Sequence, residues 1–228
     1  MTWVKICGMT NLEDALVAVD AGADAVGFVF YEKSPRSVTP EKVREIVMQL
    51  PDSVETVGVF AGNALETAVD TARQIEVDAM QMYVLSYPPS AMAGTHAMGI
   101  GHLRAYLALP VSIFLGQGAK NVSGFVGARP AGIFDTLFLD SGNSRQPGGT
   151  GQVFDWHEAS PAVKELSLHQ KVVIAGGLSP ENVTGAISIL QPWGVDVVSG
   201  VEASPGKKDP DKVRAFVRAV REMDRKVS

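Results

Sequence analysis

Two residues able to exchange protons stand where a parallel sheet would deliver them to the same end. Cys7 closes Val4-Lys5-Ile6-Cys7, and Asp140 closes Leu137-Phe138-Leu139-Asp140. A free cysteine is ordinarily a small buried hydrophobe, and a carboxylate at a strand end ordinarily caps a helix or accepts loop hydrogen bonds. A thiolate is nevertheless a competent base or nucleophile where a positive field lowers its pKa. Lys5, two residues earlier on the same strand face, offers either that field or an ion pair inside the sheet. Partial burial would disfavour ionisation of Asp140 and let it serve as a general acid near neutral pH. The pair predicts acid–base chemistry, one group removing a proton while the other supplies one.

Glycine-containing loops indicate what is held beside them. Gly148-Gly149-Thr150-Gly151 follows the strand ending at Asp140, Gly176-Gly177-Leu178 ends the next, and Ser199-Gly200-Val201 follows the last. One glycine pair is usually a turn, but three such loops after successive strands let backbone N–H groups surround an anion. Gly149, Gly151, Gly176, Gly177, Ser199 and Gly200 are therefore the expected phosphate ligands, with Val201–Ser204 as a small extra helix ended by Gly206. Arg36, in Lys33-Ser34-Pro35-Arg36, is either a solvated loop residue or a bidentate grip for a substrate carboxylate. Asp196, at the start of the last strand, orients Arg36, binds a substrate hydroxyl or is structural. His96, His102, His157 and His169 make no recognised metal pattern.

These residues need elements to position them. Short runs rich in Val, Ile and Phe alternate with amphipathic helical patterns, as repeated βα units require. The expected strands are Val4–Cys7, Ala25–Phe30, Thr56–Phe60, Val77–Tyr83, Val111–Leu115, Phe134–Asp140, Val172–Ala175 and Asp196–Ser199. Helices are expected from about Leu12, Pro40, Ala64, Trp156, Pro180 and Asp211, with Asn11 and Thr39 suited to start the first two and Pro180 and Pro210 tolerated in a first turn. Eight units in 228 residues predict one α/β domain, residues 1–228, a (βα)8 TIM barrel of eight parallel strands. A dinucleotide fold would place Gly-x-Gly-x-x-Gly after its first strand, where this chain reads Cys7-Gly8-Met9-Thr10. Neither Gly99-Ile100-Gly101 nor Gly116-Gln117-Gly118 continues to the third glycine.

Composition narrows the partners. A net charge of −5 argues against a general nucleic-acid surface, and one cysteine excludes an intramolecular disulfide. No apolar stretch reaches spanning length, so the expectation is a cytoplasmic protein, not embedded in a membrane, acting on a small phosphorylated molecule.

With those residues in place, the sequence resembles phosphoribosylanthranilate isomerase, the tryptophan-biosynthesis barrel that performs an Amadori rearrangement. The resemblance rests on Lys5-Ile6-Cys7-Gly8-Met9-Thr10, Gly27-Phe28-Val29-Phe30, Ser34-Pro35-Arg36 and Val57-Gly58-Val59-Phe60. It continues in Leu139-Asp140, Gly148-Gly149-Thr150-Gly151 with Phe154-Asp155-Trp156, Ala175-Gly176-Gly177-Leu178, Glu181-Asn182-Val183 and Ser199-Gly200-Val201-Glu202. It implies a cofactor-free isomerase, monomeric or homodimeric. Asp140 would protonate the ribose ring oxygen, Cys7 would remove the C2′ proton, and Arg36 would hold the anthranilate carboxylate. The middle of the chain departs from the pattern. Where the family has Val-Gln-Leu-His-Gly, this chain has Met80-Gln81-Met82-Tyr83-Val84, leaving Tyr83 as a substrate hydrogen-bonding residue in place of an imidazole. Where the family has a Lys-Ala pair on strand five, the chain reads Ile113-Phe114-Leu115-Gly116. Two alternatives stay open: a divergent barrel acting on another aminoribosyl phosphate, and a non-catalytic phosphometabolite-binding protein.

Overall fold

The computed structural model describes residues 1–84, 103–115, 122, 124–125, 134, 136–142 and 151–227. Eight parallel strands close into a barrel in chain order: β1 (Trp3–Cys7), β2 (Ala25–Phe30), β3 (Glu55–Ala61), β4 (Ala79–Tyr83), β5 (Arg104–Pro110), β6 (Thr136–Asp140), β7 (Lys171–Ile174) and β8 (Gly194–Val197). Closure is made by β1, which pairs with β2 on one side and with β8 on the other, Lys5 lying opposite both Ala25 and Asp196.

The helices that return the chain start and stop for local reasons. For α1 (Leu12–Ala21), the Asn11 side chain accepts the Asp14 N–H at 2.9 Å, and Gly22 at φ 88° ends the helix with its N–H turned back to Ala18 and Val19. Thr39 caps α2 (Pro40–Val47), whose first residue is a proline with no N–H to leave unpaired. Next comes α3 (Leu65–Gln74), then α4 (Trp156–Ser167), where Asp155 accepts from His157 and Glu158. The last two helices are α5 (Val183–Leu190) and α6 (Pro210–Val227). Pro180 thus lies in the turn before α5 rather than inside it, while Pro210 is the first residue of α6.

Side-chain alternation along the strands divides the interior. One set, including Ile6, Phe28, Met80, Leu107, Leu139 and Ile174, packs outward under the helices. The other, Ala25, Val57, Ala79, Tyr83, Tyr106, Ala108, Phe138 and Val173, fills the barrel itself. Trp3 meets Tyr106 and Phe138 edge-on at 6.4 and 6.1 Å and stacks on Trp193 at 5.2 Å, which plugs the N-terminal half.

Three expectations need correction, and the first is the last strand, which runs Gly194–Val197, so that Asp196 is its third residue and Ser199 lies in the turn after it. Strand five is Arg104–Pro110, not Val111–Leu115; Val111–Ile113 is a single 3-10 turn after it. Pro110 is compatible with the strand because it occupies the last position. Ile113–Gly116 accordingly follows the strand instead of forming its end. The expected helix at Val201–Ser204 is a 3-10 turn, Ser199–Val201, followed by a hairpin of β9 (Glu202–Ser204) and β10 (Lys207–Lys208). Gly206, at φ 83°, makes the turn of that hairpin.

Candidate active site at the C-terminal mouth of the barrel

Cys7 is the last residue of β1 and is buried. Opposite it in register on β2 is Gly27, where a Cβ would lie 2.6 Å from the Cys7 Sγ. The missing side chain is what makes room for the thiol. The Gly27 carbonyl then accepts the N–H groups of Gly8 and Met9, both at 2.9 Å, turning the chain away directly after Cys7. Below the thiol, Lys5 is wholly buried and donates to Asp196 at 2.8 Å, with its ammonium 5.2 Å from the centre of the Phe138 ring. Burial alone would favour the neutral amine, but Asp196, and then Cys7, outweigh it and hold the Lys5 pKa above its ordinary value.

Of the two roles open to Lys5, the ion pair is formed, and its positive field does not lower the thiol pKa overall. Desolvation raises the thiol pKa more than Lys5 lowers it, and Asp196 adds to the rise. Asp196 itself binds Lys5 rather than Arg36.

Asp140 ends β6 and is almost fully buried. Its Oδ1 accepts the Gly142 N–H at 2.5 Å. Burial pushes its pKa up to about 6; the Gly142 hydrogen bond opposes the shift, Asp196 adds to it and Lys5 opposes it. Cys7 and Asp140 thus come from separate strands but share the Lys5–Asp196 pair as a common electrostatic neighbour. Tyr83, the last residue of β4, is buried, its hydroxyl has no hydrogen-bond partner among the described residues, and both burial and the nearby Asp140 charge keep it protonated.

Arg36 reaches the mouth from the loop after β2. That loop folds back on itself, with Ser34 Oγ accepting the Arg36 N–H at 3.2 Å. The side-chain stem crosses Gly8, at φ 81°, where a Cβ would lie 2.9 Å from Arg36 Cδ. The Nε and one Nη2 hydrogen of the guanidinium are donated to Glu202, at 2.8 and 2.7 Å. The outer edge, Nη1 with the other Nη2 hydrogen, has no protein acceptor among the described residues.

Where they are described, the glycine loops make close backbone approaches to one another. A Cβ on Gly176, at φ 85°, would meet the Ser141 backbone nitrogen at 2.5 Å; one on Gly177 would strike the Gln152 backbone, and one on Gly200 the Leu178 carbonyl oxygen. The Asn182 side chain accepts from Ser179 N–H and donates to the Gly177 carbonyl, at 2.8 and 2.9 Å. Gly151 lies beside Ser199 Oγ, 3.8 Å from where its Cβ would be. Gly149, with Gly148 and Thr150, lies outside the described residues, as do Gly99 to Gly101, Gly116 to Gly118, His96 and His102. His157 and His169 are exposed. Among the described residues no group of three or more His, Cys, Asp or Glu side chains could hold a metal ion, and no helix is long and apolar enough to cross a membrane.

Sequence reasoning gave Glu202, Lys208 and Gly27 no role. For Gly27 the available signal was a glycine inside a strand, which marks a close approach. For Glu202 and Lys208 no local signal existed, because their partners are remote in sequence.

The family model described as N-(5′-phosphoribosyl)anthranilate (PRA) isomerase matches residues 4–92 and 112–219, well over half of the chain. The chain belongs to this family. Among named PRA isomerases, the one from Pelobacter propionicus is 42% identical over 222 residues, 97% of each chain, and the one from Geobacter sp. is 40% identical over 98% of this chain and 100% of its own. The crystal structure of the PRA isomerase from Thermotoga maritima superposes with a TM-score of 0.80 at 37% identity, covering 97% of this chain and 100% of that one. A PRA isomerase solved with reduced 1-(o-carboxyphenylamino)-1-deoxyribulose 5-phosphate gives a TM-score of 0.76 at 36% identity, with the same coverage.

Proposed function

We infer that the chain isomerises N-(5′-phosphoribosyl)anthranilate to 1-(2-carboxyphenylamino)-1-deoxyribulose 5-phosphate, the Amadori step of tryptophan biosynthesis, by acid–base chemistry alone. The observation that carries the residue assignment is the pair of buried titratable groups at one barrel mouth, Asp140 with a pKa of about 6 and Cys7 above its ordinary value. Asp140 donates its proton to the ribose ring oxygen, the C1′–O bond breaks and the sugar opens to an imine. The Cys7 thiolate takes the proton from C2′, and the resulting enolamine tautomerises to the ketone. The substrate gains one proton and loses one, so its composition is unchanged and no electron acceptor is required.

Binding follows from the remaining groups. Gly151, Gly176, Gly177, Ser199 and Gly200 surround the phosphate, with Asn182 bracing the Gly177 turn. Arg36 offers the outer edge of its guanidinium to the anthranilate carboxylate. Tyr83, whose hydroxyl has no partner among the described residues, donates to a substrate oxygen. Lys5 and Asp196 sit beneath the substrate and hold the field around Cys7. The test is to supply purified protein with N-(5′-phosphoribosyl)anthranilate and follow the change in anthranilate fluorescence. Turnover that disappears in Cys7→Ala and Asp140→Asn is expected. No turnover above Cys7→Ala, or faster isomerisation of another aminoribosyl phosphate, would overturn the assignment.

A further inference from the structure

The Arg36 guanidinium sits at the end of a long, rotamer-rich stem on a loop, and such a group binds a planar ligand poorly unless held. What holds it is Glu202. This carboxylate is buried in the β9–β10 hairpin and takes both donors of the Arg36 inner edge. Its Oε1 also accepts from the Gly206 N–H at 3.2 Å and from Lys208 Nζ at 3.4 Å. Lys208, buried in turn, donates to the Val198 carbonyl at 3.0 Å, just beyond the end of β8. The hairpin carrying Glu202 is tied to the first loop and to α1 as well, since Thr10 Oγ1 donates to the Gly206 carbonyl at 2.6 Å and the Lys208 N–H donates to Asp14 of α1 at 2.7 Å.

A carboxylate beside an arginine that must attract an anion would ordinarily defeat its purpose. Here a second cation, buried Lys208, reaches the same carboxylate at 3.4 Å and offsets its charge, although burial lowers the Lys208 pKa. With Glu202 occupying Nε and Nη2, the plane of the guanidinium is set and only its outer edge is left without an acceptor among the described residues. We propose that Glu202, backed by Lys208, is the positioning residue that fixes the guanidinium plane of Arg36 and thereby selects an aglycone whose carboxylate stands ortho to the amino nitrogen that carries the sugar.

The proposal rests on Arg36 gripping the aglycone carboxylate, and the experiment separates the two. Steady-state kinetics with N-(5′-phosphoribosyl)anthranilate are measured for Glu202→Gln, Glu202→Asp, Arg36→Met and the double variant Arg36→Met/Glu202→Gln. Binding is measured for reduced product analogues carrying the carboxylate ortho or meta. Glu202→Gln is expected to raise KM about 10-fold to 100-fold, as for a displaced orienting group, with kcat changed less than about 3-fold. The ortho-over-meta preference is expected to collapse. In the Arg36→Met background the same change should add nothing further. Glu202→Asp keeps the charge within the hairpin but withdraws it from the guanidinium, so it should raise KM with little change in melting temperature, which guards against a folding defect in the Gln variant. An unchanged KM in both Glu202 variants while Arg36→Met raises it would overturn the proposal, as would additive effects in the double variant. Arg36→Met leaving KM unchanged would overturn the carboxylate grip and this proposal together.

Discussion

The acid of the proposed reaction has a lower pKa in the folded protein than the base, which decides how the rate depends on pH. At neutral pH most molecules carry Asp140 ionised and Cys7 as thiol; the productive form, with that proton moved to Asp140, is a minor tautomer of the same net charge. Below about pH 6 the thiolate becomes rarer with each unit while Asp140 gains nothing, so kcat/KM is expected to rise tenfold per pH unit up to about 6. It should then stay level through neutrality and fall only above the raised pKa of Cys7. A profile that falls from pH 6 upward would reject this assignment. The same carboxyl has a stability signature. Its folded pKa is raised, so its contribution is most favourable below the unfolded value near 4 and is lost as pH rises through about 6. Asp140→Asn keeps an oxygen for the Gly142 N–H and removes that loss. We expect the variant to be inactive yet more stable than the parent by up to about 3 kcal/mol above pH 6, with the difference vanishing near pH 4. Urea unfolding of both proteins across that range would measure it.

At the level of elements, the mouth depends on close backbone approaches more than on side-chain contacts. Gly27→Ala would place a methyl group against the Cys7 thiol, and either β1 or β2 must shift. The expected result is a stability loss of about 1 to 3 kcal/mol and a drop in kcat/KM of about 100-fold, checked by melting and kinetics on the same preparation. The strand ends bearing Cys7 and Asp140 were legible in the sequence because an ionisable group closing an apolar run is conspicuous. So were the caps at Asn11 and Thr39, which act over three residues. Strand five was not, because its charged first residue and terminal proline, Arg104 and Pro110, disguise it while the more apolar Val111–Leu115 beside it looks like a strand. The Arg36–Glu202 and Lys5–Asp196 pairs were hidden for a different reason: each joins residues brought together only when the barrel closes, over separations of 166 and 191 positions.

At the level of the whole molecule, closure is fastened at the end opposite the site. Arg221 of α6 donates to the Thr2 and Gly22 carbonyls at 2.5 and 2.9 Å and to Asp24 at 2.7 Å, while Asp224 accepts the Thr2 N–H and hydroxyl. Arg221→Ala should cost about 2 kcal/mol and lower the melting temperature by roughly 4 to 8 °C. Its kcat should be unchanged, because every bond lost lies at the N-terminal face; a matching loss of kcat would show that the two faces are energetically linked. The buried thiol of Cys7 is also the sole sulfhydryl in 228 residues. One equivalent of a thiol-selective alkylating reagent taken up under native conditions therefore reports a single atom. The labelling rate against pH titrates that atom in the unmodified enzyme, and slowing of the label by inorganic phosphate or product would count occupied mouths without a chromophore, a coupled assay or a single substitution.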